Sequence, residues 1–150
     1  MADFTKVIEI DPSNAGAYYS RGRESLKSEQ YDEAKSDFSK AIELDPSFSR
    51  AYNNRGIVHR AQEAYDEAVS DYKKAIDTGK DVGLARGNLG VTYFSLGRHE
   101  EAIHEFTIAA ELTPDNKGIY HNRAKAYRLI GEIEKAEADE QREAELREGD

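Results

Sequence analysis

The sequence predicts an all-α repeat fold, and three observations predict it. Short segments recur at a fixed step of 34 residues: AYYSRG at 17–22, AYNNRG at 51–56, ARGNLG at 85–90 and IYHNRA at 119–124. Within each step the apolar residues fall at helical spacing, and no stretch alternates with period two for long enough to suggest a sheet. Polar turns and prolines punctuate the pattern where helices should stop, as at Asp45-Pro46 and Thr113-Pro114, because Pro cannot continue the hydrogen-bond ladder and restricts the residue before it.

The elements follow in order. Residues 4–14, FTKVIEIDPSN, look like the tail of a repeat whose first helix is missing. Either an array begins there in mid-repeat or the piece comes from a longer chain. Four units then tile the chain: 15–48, 49–82, 83–116 and 117–150. In the first unit, Tyr18, Gly22 and Ser25 share one face of one helix, Ser28–Gln30 form the turn, and Ala34, Phe38, Ala41 and Ile42 share one face of the next. The other units repeat this division, and the whole chain, 1–150, is expected to be a single domain. The junction after the second unit, Asp77 to Asp81, lacks the expected proline. In the last helix Glu140 and Glu143 replace apolar residues, which suits a capping helix that must stay soluble.

Composition supports a thin helical core. Leu, Ile, Val and Phe together number only 28 of 150 residues, but 19 Ala and 9 Tyr add to them. There is no Cys, hence no disulfide framework, thiolate metal site or cysteine nucleophile. No apolar run approaches the ~18 residues of a membrane span. The first ten residues contain Asp3, Lys6 and Glu9 and do not read as a secretory signal, so a cytoplasmic location is expected. The net charge of -9 argues against general nucleic-acid binding. The four His lie at unrelated positions of the repeat, and no metal-ligand spacing, nucleophile elbow or phosphate-cradling loop is present. No catalytic residue, metal or cofactor is therefore assigned, and no enzyme activity is expected.

The pattern resembles the tetratricopeptide repeat family over essentially the whole chain. Counting positions, or slots, within the 34-residue unit, slot 4 holds Tyr18, Tyr52, Arg86 and Tyr120, slot 8 holds Gly22, Gly56, Gly90 and Ala124, and slot 20 holds Ala34, Ala68, Ala102 and Ala136. Slot 24 holds Phe38, Tyr72, Phe106 and then Glu140. The resemblance implies a right-handed superhelical solenoid of antiparallel helix pairs. It also implies a concave groove lined by the first helices, and a role as a non-catalytic scaffold for protein–protein interaction.

The groove-facing slots carry three signals. Six of the 24 groove residues are basic (Arg23, Lys27, Arg50, Arg60, Lys125 and Arg128) and none is acidic, so an acidic peptide or a free C-terminus is the expected ligand. Slot 6 reads Ser20, Asn54, Asn88, Asn122; Asn carries both donors and an acceptor and can grip an extended backbone. Tyr19 and Asn53 line the same face. Third, Gly87 faces the groove without a packing reason, near Leu84, Val91 and Phe94; these four form an apolar pocket, or the repeat is simply softer. Two windows compared with the two-carboxylate clamp of co-chaperone members match it at one residue each, Asn54 and Asn88, which disfavours that subclass. Arg21, Arg55 and Arg123 at slot 7 face Asp37, Asp71 and Asp139 at slot 23, which predicts an Arg–Asp pair between the helices of those repeats. A rival to peptide binding is a self-assembling module that dimerises through residues 4–14.

Overall fold

The chain is an all-α helical repeat. The computed structural model describes residues 3–79 and 82–148, and among these residues there are nine helices and no strand. It divides into two compact units, Met1–Lys80 and Asp81–Asp150. The first holds α1 (Phe4–Ile10), α2 (Ala15–Lys27), α3 (Tyr31–Leu44), α4 (Ser49–Ala61) and α5 (Tyr65–Thr78). The second holds α6 (Val82–Ser95), α7 (His99–Leu112), α8 (Lys117–Leu129) and α9 (Ile133–Glu148). Of the junction Asp77–Asp81, Lys80 and Asp81 lie outside the described residues.

Local chemistry sets the helix ends. Asn14 caps α2 by accepting from the Ala17 amide at 2.9 Å, and Asn116 caps α8 by accepting from the Gly118 amide at 3.1 Å. The second helix of three pairs has no side-chain cap. It opens instead on two acids, Asp32-Glu33, Asp66-Glu67 and Glu100-Glu101, which meet the positive end of the helix dipole. Where the proline is missing, Gly79 ends α5 in the left-handed conformation at φ 91°. The turn between the helices of each pair also needs a left-handed residue, at slot 15. Gly97 and Gly131 supply it in the second unit; in the first it is forced on Glu29 and Glu63, at φ 57° and 59°.

Close approach of the paired helices builds the core. Phe38, Tyr72 and Phe106 at slot 24 are fully buried. Each ring lies against the glycine at slot 8 of its partner helix. A methyl group at Gly22 would stand 2.9 Å from Phe38 Cε1, at Gly56 2.8 Å from Tyr72 Cε1, and at Gly90 2.7 Å from Phe106 Cδ1. Gly83 is held similarly, 2.8 Å from Thr113 Cγ2 by the same measure. In the last pair Ala124 occupies slot 8, and Glu140, exposed, stands where the ring would be. Ala34, Ala68, Ala102 and Ala136 at slot 20 are all fully buried.

These positions separate helix propensity from packing. Gly56→Ala gains about 1 kcal/mol of propensity but crowds Tyr72, which costs about 1–3 kcal/mol. A net loss, read as a lower urea midpoint, is expected. Glu63→Gly relieves a left-handed residue strained by about 1–2 kcal/mol and should raise the midpoint.

Candidate peptide-binding surfaces

An ion pair orients the first helix of each pair. Arg21 donates to Asp37 from Nε at 2.8 Å and Nη2 at 2.7 Å; Arg55–Asp71 and Arg123–Asp139 repeat both distances. These bidentate forks stand between the helices of the three repeats in which the sequence predicts them. Each guanidinium also lies over the tyrosine at slot 4, 5.6–5.7 Å from the ring centroid. Arg55 and Arg123 spend a further donor on the preceding repeat, at Ser39 Oγ (3.0 Å) and Thr107 Oγ1 (3.1 Å). The remaining repeat solves the same problem differently: Arg86 at slot 4, where the others have tyrosine, pairs with Glu105 at 2.7 Å. The asparagines stand at slot 6, the residue just before slot 7, on α4, α6 and α8.

That asparagine row divides between the units. Asn54 belongs to the first. It donates from Nδ2 to the Tyr19 hydroxyl at 3.2 Å and accepts from Asn53 Nδ2 at 3.4 Å. It keeps one N–H and one lone pair for a further partner. Asn53 itself is buried, at 6 % exposure, so its side chain is not on the reachable surface that the sequence assigns it to. Tyr19 is half-buried against Phe38 and Phe48, with ring centroids at 5.9 and 4.8 Å. Arg23 and Arg50 both approach its ring, each 5.8 Å from the centroid.

In the second unit, Asn88 and Asn122 line one cleft of about 150 Å³, together with Leu84, Gly87, Val91 and Ile119. Leu84 is 53 % exposed at its edge. Gly87 forms part of the wall, and a methyl group there would meet only Ile119 Cγ1, at 3.9 Å. Of the pocket that the sequence predicts, Leu84, Gly87 and Val91 come together. Phe94 does not join them: its ring packs on His99, with centroids 5.3 Å apart. Ile119 was not foreseen, since it sits at slot 3, outside the slots read as groove-facing; it is 4 % exposed.

The six basic residues are not equivalent. Lys27 pairs with Glu24 at 2.8 Å, and Arg128 forms a bidentate pair with Glu140, both bonds 2.7 Å. These two are satisfied within the chain. Arg23, Arg50, Arg60 and Lys125 form no ion pair among the described residues. Arg60 Nε is buried without a hydrogen bond, as is the Tyr72 hydroxyl; burial pushes that hydroxyl up to about 12, opposed by the nearby Arg60. Glu143, expected among the acids outside the last helix, is instead buried at 8 % exposure, beside His121 (3.1 Å) and Arg147. Sequence reasoning missed that role because the His and the Glu lie 22 residues apart on different helices.

The ion pairs differ in burial. The arginine side chains are 35 % exposed at Arg21, 22 % at Arg55 and 15 % at Arg123, against partners that are all nearly buried. Removing a carboxylate strands its arginine, and the cost rises with burial. Asp71→Ala and Asp139→Ala should each cost about 2 kcal/mol or more, and Asp37→Ala less, measured by urea unfolding.

Known families and structures match this geometry. Residues 19–83 match the family model described as tetratricopeptide repeat, and residues 83–131 a second model described as TPR repeat. No curated protein matches the sequence. A crystal structure of MamA is 23 % identical, with a TM-score of 0.89 over 97 % of this chain and 85 % of that one. YrrB, described as a TPR protein with an unusual peptide-binding site, is 25 % identical, with a TM-score of 0.86 over 99 % of this chain and 76 % of that one. The first TPR of Spaghetti (RPAP3), bound to the HSP90 peptide SRMEEVD, is 24 % identical, with a TM-score of 0.76 over 80 % and 95 %. Among the described residues no helix is long and apolar enough to cross a membrane. With the repeat period, the glycine–aromatic contacts and the two family models in agreement, the chain belongs to the tetratricopeptide repeat family, whose members are generally non-catalytic protein-interaction scaffolds.

Proposed function

We propose that the chain is a scaffold that binds an extended, acidic peptide segment of a partner protein. One observation carries the reading: Asn88 and Asn122 flank a cleft beside a helical glycine that packing does not require. Such amides can pair with the C=O and N–H of a passing backbone while the cleft takes one small apolar side chain. Arg23, Arg50, Arg60 and Lys125, which form no ion pair among the described residues, supply the charge for acidic residues or a free C-terminus. Peptide binding by the structural neighbours YrrB and Spaghetti (RPAP3) is consistent with this reading. The single-domain organisation over 1–150 belongs to the same proposal.

A second reading, self-association through α1, is favoured by the exposure of Ile10 (86 %) and Val7 (39 %) on that helix. A light-scattering mass that stays monomeric over a wide concentration range would remove it.

The principal test is selection from a random peptide library with free C-termini, followed by titration of the hits. Acidic peptides should be enriched, and their binding should weaken with salt and in Asn88→Ala and Arg60→Ala. Gly87→Ala makes the sharpest comparison. It should stabilise the fold by about 1 kcal/mol through helix propensity and yet weaken the selected peptides by narrowing the cleft. A variant that is more stable and binds equally well would refute the cleft's role.

A further inference from the structure

Two arginines of the first unit are set up alike. Arg23 stands on α2, one helical turn beyond Tyr19, and Arg50 on α4. Both guanidinium carbons lie 5.8 Å from the centroid of the Tyr19 ring, so they are no further apart than twice that distance. Arg50 is also 5.9 Å from the Phe48 ring, which packs on Tyr19. The rings hold the guanidinium planes without using their donors. Neither arginine forms an ion pair among the described residues. The nearby acids have other partners as well: Glu24, close enough to Arg23 to feel its charge, holds Lys27 at 2.8 Å. Asp45, which shares a surface cleft with Arg50, accepts from the Ser47 amide at 2.9 Å and hydroxyl at 2.6 Å. The Tyr19 ring that both arginines approach ends in a hydroxyl joined to the Asn54 amide at 3.2 Å, which leaves a hydroxyl proton and an amide proton to donate. The set is two arginine forks and two neutral donors, with Glu24 and Asp45 at its margins bonded to Lys27 and Ser47.

We infer that this cluster reads two acidic side chains at once, in the spacing acid–any–acid along an extended peptide. The inference rests on the peptide-binding reading above and adds the ligand's pattern. In an extended segment, residues i and i+2 point to one face and stand about 7 Å apart, whereas i and i+1 point to opposite faces. Two carboxylates on one face then meet one fork each, each pairing bidentately with its own arginine. Adjacent acids place only one carboxylate toward the rings. Acids four apart in an extended chain are about 13 Å apart along the backbone and overshoot the pair. Acids four apart on a helix would be in reach, so the spacing preference also reports the ligand's conformation.

The test uses the full chain and fluorescein-labelled nine-residue Gly/Ser peptides carrying one Glu, or two Glu at i,i+1, i,i+2 or i,i+4, titrated by fluorescence anisotropy at low salt. The i,i+2 peptide should bind about threefold tighter than the one-Glu peptide, the increment of one exposed ion pair, and the other two-Glu peptides should not. Arg23→Gln and Arg50→Gln, with folding checked by circular dichroism, should each reduce the i,i+2 peptide to the one-Glu affinity. Equal affinity for every two-Glu spacing, tightest binding at i,i+4, or indifference to both substitutions would overturn the inference and leave the peptide-binding reading standing. Failure of every peptide to bind, while library selection on the same protein also yields none, would overturn both.

Discussion

The contact between a helical glycine and a buried aromatic ring is the constraint from which the rest of the structure follows. At Gly22–Phe38, Gly56–Tyr72 and Gly90–Phe106 the two helices of a pair approach until no side-chain atom fits between them. The composition makes this necessary. A chain rich in Ala and poor in Leu and Val can exclude water only if its backbones lie close. The glycine gives up helix propensity of about 1 kcal/mol relative to Ala, and the ring buried in its place more than offsets it. The last pair shows the rule by departing from it. There Ala124 replaces Gly and Glu140 replaces the ring, and Glu140 turns outward to hold Arg128.

Charge adds orientation to this packing. In the first two repeats the Arg–Asp fork sits one residue before the glycine and one residue before the ring, so the same two turns of helix carry both the apolar and the ionic contact. The fork's rigid geometry fixes rotation about the helix axis in a way that an alanine core, with few projecting atoms, cannot. Repeat 3 keeps the function while changing the residues. Its slot 7 is Leu89, fully buried, and the cation moves to Arg86, one turn earlier, to meet a longer acid, Glu105. The repeat therefore conserves a cation–anion bond between helices rather than a particular residue at a particular slot.

Much of this was legible in the sequence because it is periodic. A 34-residue step aligns Arg with Arg and Asp with Asp, so a single hypothesis is checked three times over. What escaped was whatever depends on a side chain's partner rather than its slot. Lys27 and Arg128 occupy groove slots, yet each is claimed by an acid of its own pair, Glu24 on the same helix and Glu140 on the next. Asn53 occupies a groove slot and is buried. Phe94 swings to His99, outside the apolar cluster that its slot suggests. The left-handed residues at slot 15 are periodic too, but Glu29 and Glu63 conceal them, because Glu carries no signal for positive φ. The cleft in the second unit stood between these cases. Gly87 was conspicuous as an unexplained helical glycine, whereas Ile119, at slot 3, carried no groove signal.

Function then follows from what the packing leaves over. After the core, the interhelical forks and the internal ion pairs are satisfied, a few groups on the first helices remain with unused donors: Arg23, Arg50 and Asn54 in one unit, and Lys125 in the other. Three of the second helices, α3, α5 and α7, by contrast begin with paired acids. On the proposed reading a partner peptide therefore lies on the first helices. The most direct measurement is backbone amide chemical-shift mapping by NMR with a library-selected acidic peptide. The shifts should concentrate on α2 and α4 around Tyr19 and Asn54 and on α6 and α8 around Gly87 and Asn122. Shifts concentrated on α3, α5, α7 and α9 would contradict it.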